Sequence, residues 1–191
     1  MEPYIEVIDN FFKSPDDIRS MALEEKYEKF NTGYYGGCDT TNTMIVIDEM
    51  KEKINNIFGK EMKIKKSRFR YIREKDYARY LIHTDKLKSK SEKGFHVIIS
   101  LTPDELIKEN DSTVFYEHNK IGRYLKSQEE VDILNKESLM IEKFNEYKSV
   151  EHKYNRCIIL DYDFFHSPRY INGYGSSIED SRLLYITEVI L

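Results

Sequence analysis

The stretch CIILDYDFFHSP, residues 157–168, decides the fold that the sequence predicts. It opens with β-branched and apolar residues, as a buried strand does, and it ends at His166 and Pro168. Pro168 and the glycine-containing loop after it stop the strand. A last strand, SRLLYITEVIL (181–191), then carries Arg182 among apolar neighbours. The sequence therefore predicts a histidine at one strand end and an arginine on the strand that follows.

Further strands are predicted upstream, because short segments rich in β-branched and aromatic residues alternate with polar ones. They are residues 4–8, 44–48 (MIVID), 62–74 (MKIKKSRFRYIRE), 78–85 (ARYLIHTD), 94–101 (GFHVIISL) and 112–118 (STVFYEH).

Two helices are predicted near the N-terminus and one helical insertion later in the chain. Ser14 is a suitable N-cap, Pro15 suits the first turn, and Asp17 completes a capping box. The segment EMKEKINNIFGK predicts a second helix that ends at Gly59. A Ser127–Glu130 capping box opens the insertion, at about residues 125–150.

Two helices followed by six or more strands indicate a mainly β fold of the α+β class, a β-sandwich or jelly roll with the helices packed on one sheet. The length of 191 residues suits one domain over 1–191, and the chain shows no internal repeat or low-complexity linker.

Composition excludes several classes of protein. Hydrophobic residues are 40% and charged residues 34% of the chain, which is typical of a globular protein. The net charge of −4 gives no general attraction to nucleic acid or to anionic membranes. Cys38 and Cys157 lack metal-site or redox spacing, and free thiols are expected. Neither a signal peptide nor an apolar run of about 20 residues is present, so we expect a cytoplasmic protein with no membrane partner.

The segment IHTD supplies possible partners for His166 at a metal site. His83 and Asp85 end a predicted strand, and residues i and i+2 face the same side of a strand. With His166 on a neighbouring strand end, two imidazoles and one carboxylate can occupy one face of a metal ion. Non-haem Fe(II) oxygenases use this arrangement, because it leaves other positions open. The sequence therefore predicts a metal site of His83, Asp85 and His166.

The segments IHTD and 157–190 together resemble the HxD…H…R core of the Fe(II)/2-oxoglutarate-dependent oxygenases. The N-terminal YIEVIDNFFKSPDDIRSMALEEKY is similar to the first strand and helix of small prolyl-4-hydroxylase-like and phage-encoded members. DSTVFYEH is similar to the "GGT.FY" strand that follows HxD in many of them. The resemblance runs from about residue 4 to the end, apart from the insertion.

The resemblance implies a double-stranded β-helix (a cupin-like jelly roll) and a dioxygenase that uses Fe(II), 2-oxoglutarate and O₂. It implies that His83, Asp85 and His166 bind the iron and that Arg182 binds the distal carboxylate of 2-oxoglutarate, with help from Tyr71 or Tyr80. Retention of Asp85 implies hydroxylation of a C–H bond. The substrate is left open as a small molecule, a peptide or a modified nucleotide, and the protein could be virus-encoded.

The same residues also have simpler interpretations, in which they bind neither metal nor cosubstrate. The HxD pair is common by composition and could be a surface turn, and Arg182 could only pair with Asp180 or Glu188. His96 is expected on a sheet face or as a reserve ligand, while His118 and His152 are expected at the surface. Two rival functions follow: a cupin-like metal enzyme that does not use 2-oxoglutarate, and a non-catalytic β-sandwich binding or virion protein.

The basic stretch KIKKSRFRYIREK interleaves cations with aromatic residues, as some nucleic-acid surfaces do. Charged and apolar residues that alternate with a period of two more often indicate a strand with one solvated, charged face. This is the interpretation we favour. Nucleic-acid demethylating members of the resembled family carry a second arginine shortly after the first, whereas Arg182 is followed by LLYITEVIL. Nucleic acid is therefore a possible but disfavoured partner.

Overall fold

A computed structural model describes residues 4–29, 36–76, 82–85, 93–125, 127–170 and 172–191, and of Gln128 and Asn135 the backbone alone. The helices are α1 (Pro15–Glu24), α2 (Asp48–Phe58) and α3 (Gln128–Glu137), and two short 3₁₀ turns are Asp104–Leu106 and Ile141–Lys143. The strands are β1 (Ile5–Ile8), β2 (Tyr27–Lys29), β3 (Cys38–Thr40), β4 (Lys63–Ile72), β5 (Gly94–Ser100), β6 (Ser112–His118), β7 (Phe144–Glu151), β8 (Cys157–Asp161), β9 (His166–Pro168) and β10 (Arg182–Ile190).

The strands form two antiparallel sheets. The larger has the order β1-β8-β5-β10-β4-β3-β2, and the smaller has the order β7-β6-β9. Phe115 and Val150 of the smaller sheet pack against Ile158 and Leu160 of the larger one. Apolar residues on the inner faces of both sheets thus hold them face to face, which is the layout of a jelly roll. The predicted fold class is confirmed.

Helices α1 and α2 cover the outer face of the larger sheet. Met50 and Ile54, one helical turn apart, are buried there against Phe95 and Leu183. Pro15 stands in the first turn of α1 as predicted, but the Ser14 side chain makes no capping hydrogen bond, so the capping box predicted for α1 is wrong. Helix α2 ends as predicted at Gly59, whose φ of 66° is the left-handed cap that glycine adopts without strain.

The predicted insertion is only half helical. Ser127 and Glu130 form the expected capping box at the start of α3. The second half of the segment instead forms β7, an edge strand of the smaller sheet, whose residues are mostly exposed. Helix α3 covers the outer face of that sheet through Leu134, which packs in a cluster with Val114 and Phe165.

Three local predictions are corrected by the structure. Residues 44–48 form no strand: only Met44 makes an isolated bridge, to Ser67, and α2 begins at Asp48. His118 is not at the surface but 1% exposed, with Nε2 3.1 Å from Oε2 of Glu137 on α3. The alternating face of β4 is not solvated, since Arg68 is buried and points into the space between the sheets.

Cys38 and Cys157 are free thiols, as expected, and both are buried. Among the described residues, no helix has both the length and the apolar character needed to cross a membrane.

Candidate metal centre

Backbone pairing places the two predicted histidine ligands side by side. His83 and His166 form an isolated antiparallel bridge, in which each backbone N–H donates to the carbonyl of the other at 3.1 and 2.9 Å. His166 is fixed from the other side because β9 pairs with β6, with His166 opposite Phe115. The two imidazole rings lie 4.4 Å apart between centroids. A bridge of this kind brings residues distant in the chain to one point at a sheet edge.

Asp85 completes the cluster. Its backbone N–H donates to the carbonyl of Tyr162 at 2.9 Å, just after β8. One carboxylate oxygen then lies 3.4 Å from Nε2 of His166, and the other lies 3.8 Å from Nε2 of His83. One ligand atom of each residue lies within 4.8 Å of those of the other two. Ligands about 2.1 Å from a shared ion are about 3 Å apart when they are adjacent, so a small contraction would close this set on a metal.

His166 is prepared as a neutral ligand. Its Nδ1 lies 2.9 Å from the carbonyl oxygen of Phe164, which can only accept, so Nδ1 carries the proton. Nε2 is then left with a lone pair that faces Asp85. Burial lowers the pKa of His166, because removal from water disfavours the imidazolium, although the Asp85 charge works in the other direction. Metal-ligating histidines are commonly oriented in this way by a backbone carbonyl.

Asp85 is held ionised by the histidines around it. Burial alone would raise the pKa of this carboxyl, but the neighbouring imidazoles of His96 and His166 and a hydrogen bond from His96 lower it below its usual range. Nδ1 of His96 lies 2.8 Å from Oδ2 of Asp85. His96 thus contacts the carboxylate of the cluster, and the sequence did not predict this role for it.

A row of charged side chains continues from His96 into the space between the sheets. Nε2 of His96 lies 4.0 Å from Oε1 of Glu188, and Nη1 of Arg68 donates to the same oxygen at 3.2 Å. Asp39 then bridges Arg68 and Arg70. Sequence reasoning missed these residues. The alternation of charged and apolar residues along β4 and β10 indicated that the charged residues share one face of each strand. It could not show whether that face is interior.

Arg182 is buried as predicted but already has a carboxylate partner. Its Nε and Nη2 donate to the two oxygens of Asp111 at 3.1 and 2.8 Å, and its Nη1 donates to the carbonyl of Tyr170 at 3.0 Å. The side chains of Arg182 and Asp111 are 2% and 0% exposed. Neither Asp180 nor Glu188, the partners that the sequence suggested, makes this pair. A role for Arg182 in cosubstrate binding stays a prediction.

The structure does not bring Tyr71 to the cluster. It packs on the helix-covered face of the larger sheet, in an edge-to-face contact with Tyr27, whereas Arg68 and Arg70 on the same strand point to the other face. Tyr80, the other predicted helper, lies outside the described residues.

His152 is not at the surface, where the sequence predicted it, but half-buried close to the Arg182 ion pair, where it makes stability depend on pH. Burial lowers its pKa to about 4, and the Arg182 charge adds to this against the effect of Asp111. The ordinary pKa of histidine is about 6.5, so the unfolded chain binds more protons between pH 6.5 and 4. The free energy of unfolding should therefore fall as the pH falls through that window, by on the order of 2–3 kcal/mol.

Urea unfolding at pH 7.5, 6, 5 and 4 would measure this effect against His152→Gln, which cannot be protonated. We expect the difference in the free energy of unfolding between the two proteins to change across the window. Parallel pH curves for the two proteins would contradict the assignment to His152.

Comparison with known proteins supports the fold. No protein-family model and no curated protein matches the sequence. The structure is similar to HygX from Streptomyces hygroscopicus, solved with nickel and 2-oxoglutarate, at a TM-score of 0.60 and 11% identity over 97% of this chain and 82% of that one. It is similar to the epimerase SnoN, solved with Fe3+, alpha-ketoglutarate and nogalamycin RO, at a TM-score of 0.64 and 11% identity over 97% and 78%.

A viral protein also matches over almost its whole length. The collagen prolyl hydroxylase of Paramecium bursaria Chlorella virus-1, solved as a 2-oxoglutarate complex, has a TM-score of 0.54 and 11% identity over 98% of this chain and 96% of that one. The chain therefore has the double-stranded β-helix fold of the Fe(II)/2-oxoglutarate-dependent oxygenases, and the resemblance seen in the sequence is confirmed at the level of the fold.

Proposed function

We propose that the protein is a non-haem Fe(II)- and 2-oxoglutarate-dependent dioxygenase, with His83, Asp85 and His166 as its metal ligands. The observation that carries the proposal is the convergence of these side chains, from two separate chain segments, with their ligand atoms within 4.8 Å of one another. Two imidazoles and one carboxylate suit Fe(II) and leave coordination positions for a cosubstrate and O₂.

The residues around the centre have separate tasks in this proposal. The Phe164 carbonyl keeps the proton of His166 on Nδ1, and His96 holds one oxygen of Asp85. Phe115, fully buried and opposite His166, excludes water from the floor of the site. When bound, Fe(II) with 2-oxoglutarate supplies the oxidising power to attack a C–H bond. We propose hydroxylation of a small molecule, a peptide or a modified nucleotide as the reaction.

A metal enzyme that does not use 2-oxoglutarate is the second candidate. The observation that favours it is the closed ion pair between Arg182 and Asp111, since the arginine expected to bind the cosubstrate is already paired. The metal ligands would be the same in both candidates.

An anaerobic titration separates the candidates. Metal-free protein receives Fe(II) and then 2-oxoglutarate, while the weak visible charge-transfer band of the chelate is followed. We expect the band to saturate at one equivalent of each and to be absent from a His83→Ala/Asp85→Ala variant. Stoichiometric Fe(II) without a band would favour the second candidate, and absence of stoichiometric metal would leave a non-catalytic binding protein.

A further inference from the structure

Strand β4 carries a row of positive charges along the inner face of the larger sheet. Lys66, Arg68 and Arg70 occupy alternate positions and therefore point to the same side. We call these three residues the cationic row. They lie opposite Glu188, Ile186 and Leu184 of β10, respectively.

Two carboxylates partly neutralise the cationic row. Asp39 accepts from Nε of Arg68 at 3.0 Å and from Nε and Nη2 of Arg70 at 2.5 and 2.9 Å, so one carboxylate serves two guanidinium groups. Glu188 accepts from Nη1 of Arg68 at 3.2 Å, and its side chain is 30% exposed. Within the described part of the chain, these three cations face two anions, so the charges described here sum to one positive.

The lowered pKa of Lys66 is consistent with this excess of positive charge. Burial lowers the pKa of its ammonium group, and the nearby charge of Arg68 lowers it further, against the weaker attraction of Asp39 and Glu188. Crowding of like charges in a partly buried space is relieved when an anion binds.

The cationic row lies next to the candidate metal centre. Glu188 is opposite His96 on β5, and His96 contacts Asp85. Nη1 of Arg68 and Nε2 of His96 approach the same oxygen of Glu188, at 3.2 and 4.0 Å, so these two nitrogens lie at most 7.2 Å apart. A five-carbon 2-oxo acid chelated at the centre spans a similar length.

Arg68 also has one nitrogen, Nη2, that can donate a hydrogen bond to a ligand. Its Nε and Nη1 are bonded to Asp39 and Glu188, whereas its Nη2 makes no hydrogen bond with any residue that the structure describes. By contrast, all three nitrogens of Arg182 are bonded, and its single charge is matched by that of Asp111. A carboxylate that reached Arg182 would have to displace a buried ion pair, which is costly.

We propose that Arg68, and not Arg182, binds the distal carboxylate of the 2-oxo acid cosubstrate, an inference that depends on the proposed function. The carboxylate docks on the Nη1 and Nη2 edge of the guanidinium, where the planar fork matches its two oxygens. Glu188, the more exposed of the two anions on Arg68, moves aside into solvent. Arg182 then has a structural task, namely to join the start of β10 to the loop before β6.

Competition between two related ligands tests the inference. The anaerobic Fe(II) protein is titrated with 2-oxoglutarate and with 2-oxopentanoate, which has the same carbon chain but no distal carboxylate, and the charge-transfer band gives Kd for each. We expect the protein to bind 2-oxoglutarate about 10- to 100-fold more tightly, as a hydrogen bond to a charged group gives. In Arg68→Met the ratio of the two Kd values should fall close to one.

Three further variants keep the test decisive. Arg182→Met should preserve the Kd ratio although it destabilises the fold, and Arg73→Met, which removes a cation paired with Asp76 beyond the end of β4, should preserve it too. If Arg68→Met does not fold, Arg68→Lys keeps the charge beside Asp39 and should still lower the ratio, since the fork is lost.

The outcomes are distinct. An unchanged ratio in the Arg68 variants, or a ratio near one in Arg182→Met, overturns the inference while leaving the proposed function intact. Absence of a band with either ligand in the unaltered protein overturns the proposed function, and the inference falls with it.

Discussion

Replacement of Asp85 with alanine is expected to abolish stoichiometric Fe(II) binding. Asp85 is the only anion among the three candidate ligands, and it lies 3.4 Å from the Nε2 of His166 and 3.8 Å from that of His83. Structural Zn²⁺ sites with four ligands bind with about 10–16 kcal/mol, so one ligand there accounts for roughly 3–4 kcal/mol, and we expect a loss of the same order, two to three orders of magnitude in affinity, for Asp85→Ala. Because the variant also loses the negative charge that balances the Fe(II) cation, we expect a loss in affinity at the upper end of this range.

Equilibrium dialysis followed by metal analysis measures this directly, and the rise in melting temperature on addition of Fe(II) gives a second readout. Thr84→Val is the matched control. It alters the residue between the two ligands, removes a buried hydroxyl that lacks a partner among the described residues, and leaves the cluster unchanged. We expect Thr84→Val to bind one equivalent of metal. Retention of that equivalent by Asp85→Ala would show that the cluster is not the metal site.

The second large effect is expected from Asp111→Ala, as a loss of about 3–5 kcal/mol in the free energy of unfolding. The variant leaves the Arg182 guanidinium buried without its carboxylate, and removal of one partner of a buried ion pair has this cost. Chemical denaturation of the metal-free protein measures the effect. A double variant, Asp111→Leu/Arg182→Met, should recover much of the loss, because no unpaired charge then remains buried.

An exposed pair with the same bidentate geometry provides the control. Nε and Nη2 of Arg156 donate to the two oxygens of Asp9 at 2.6 and 2.9 Å, but the Asp9 side chain is 41% exposed. Asp9→Ala should therefore cost less than about 1 kcal/mol. If Asp111→Ala and Asp9→Ala cost the same, burial does not decide the strength of these pairs, and the structural task given to Arg182 is wrong.

Local patterns were sufficient to predict most of the sheet. Strands β4, β5, β6, β8 and β10 coincide with segments rich in β-branched and aromatic residues, and α2 ends at the predicted glycine. These signals lie within a few residues of the structure that they specify, so they can be read from sequence alone. The HxD pair and His166 were also predicted to be neighbours, and the bridge between His83 and His166 brings these two segments together.

The errors have a common physical cause, which is that the decisive partner is distant in the chain. The alternation of charged and apolar residues along β4 is the same whether the charged face meets water or carboxylates, and the partners Asp39 and Glu188, which Arg68 meets in the fold, are distant in the chain. His118 gives no local sign of burial, because Glu137 reaches it from the following helix. The insertion was predicted as wholly helical because its capping box is local, whereas β7 forms only by pairing with β6.

The bridge between His83 and His166 also has a consequence for the order in which the protein folds. It joins positions 83 and 166 of the chain, so it closes a long loop and is entropically costly until the two sheets have met. We therefore expect the bridge to form late, after the transition state for folding. Interactions absent from that state stabilise a protein by slowing its unfolding. A metal ion at this bridge would thus lengthen the lifetime of the folded chain and leave its folding rate almost unchanged.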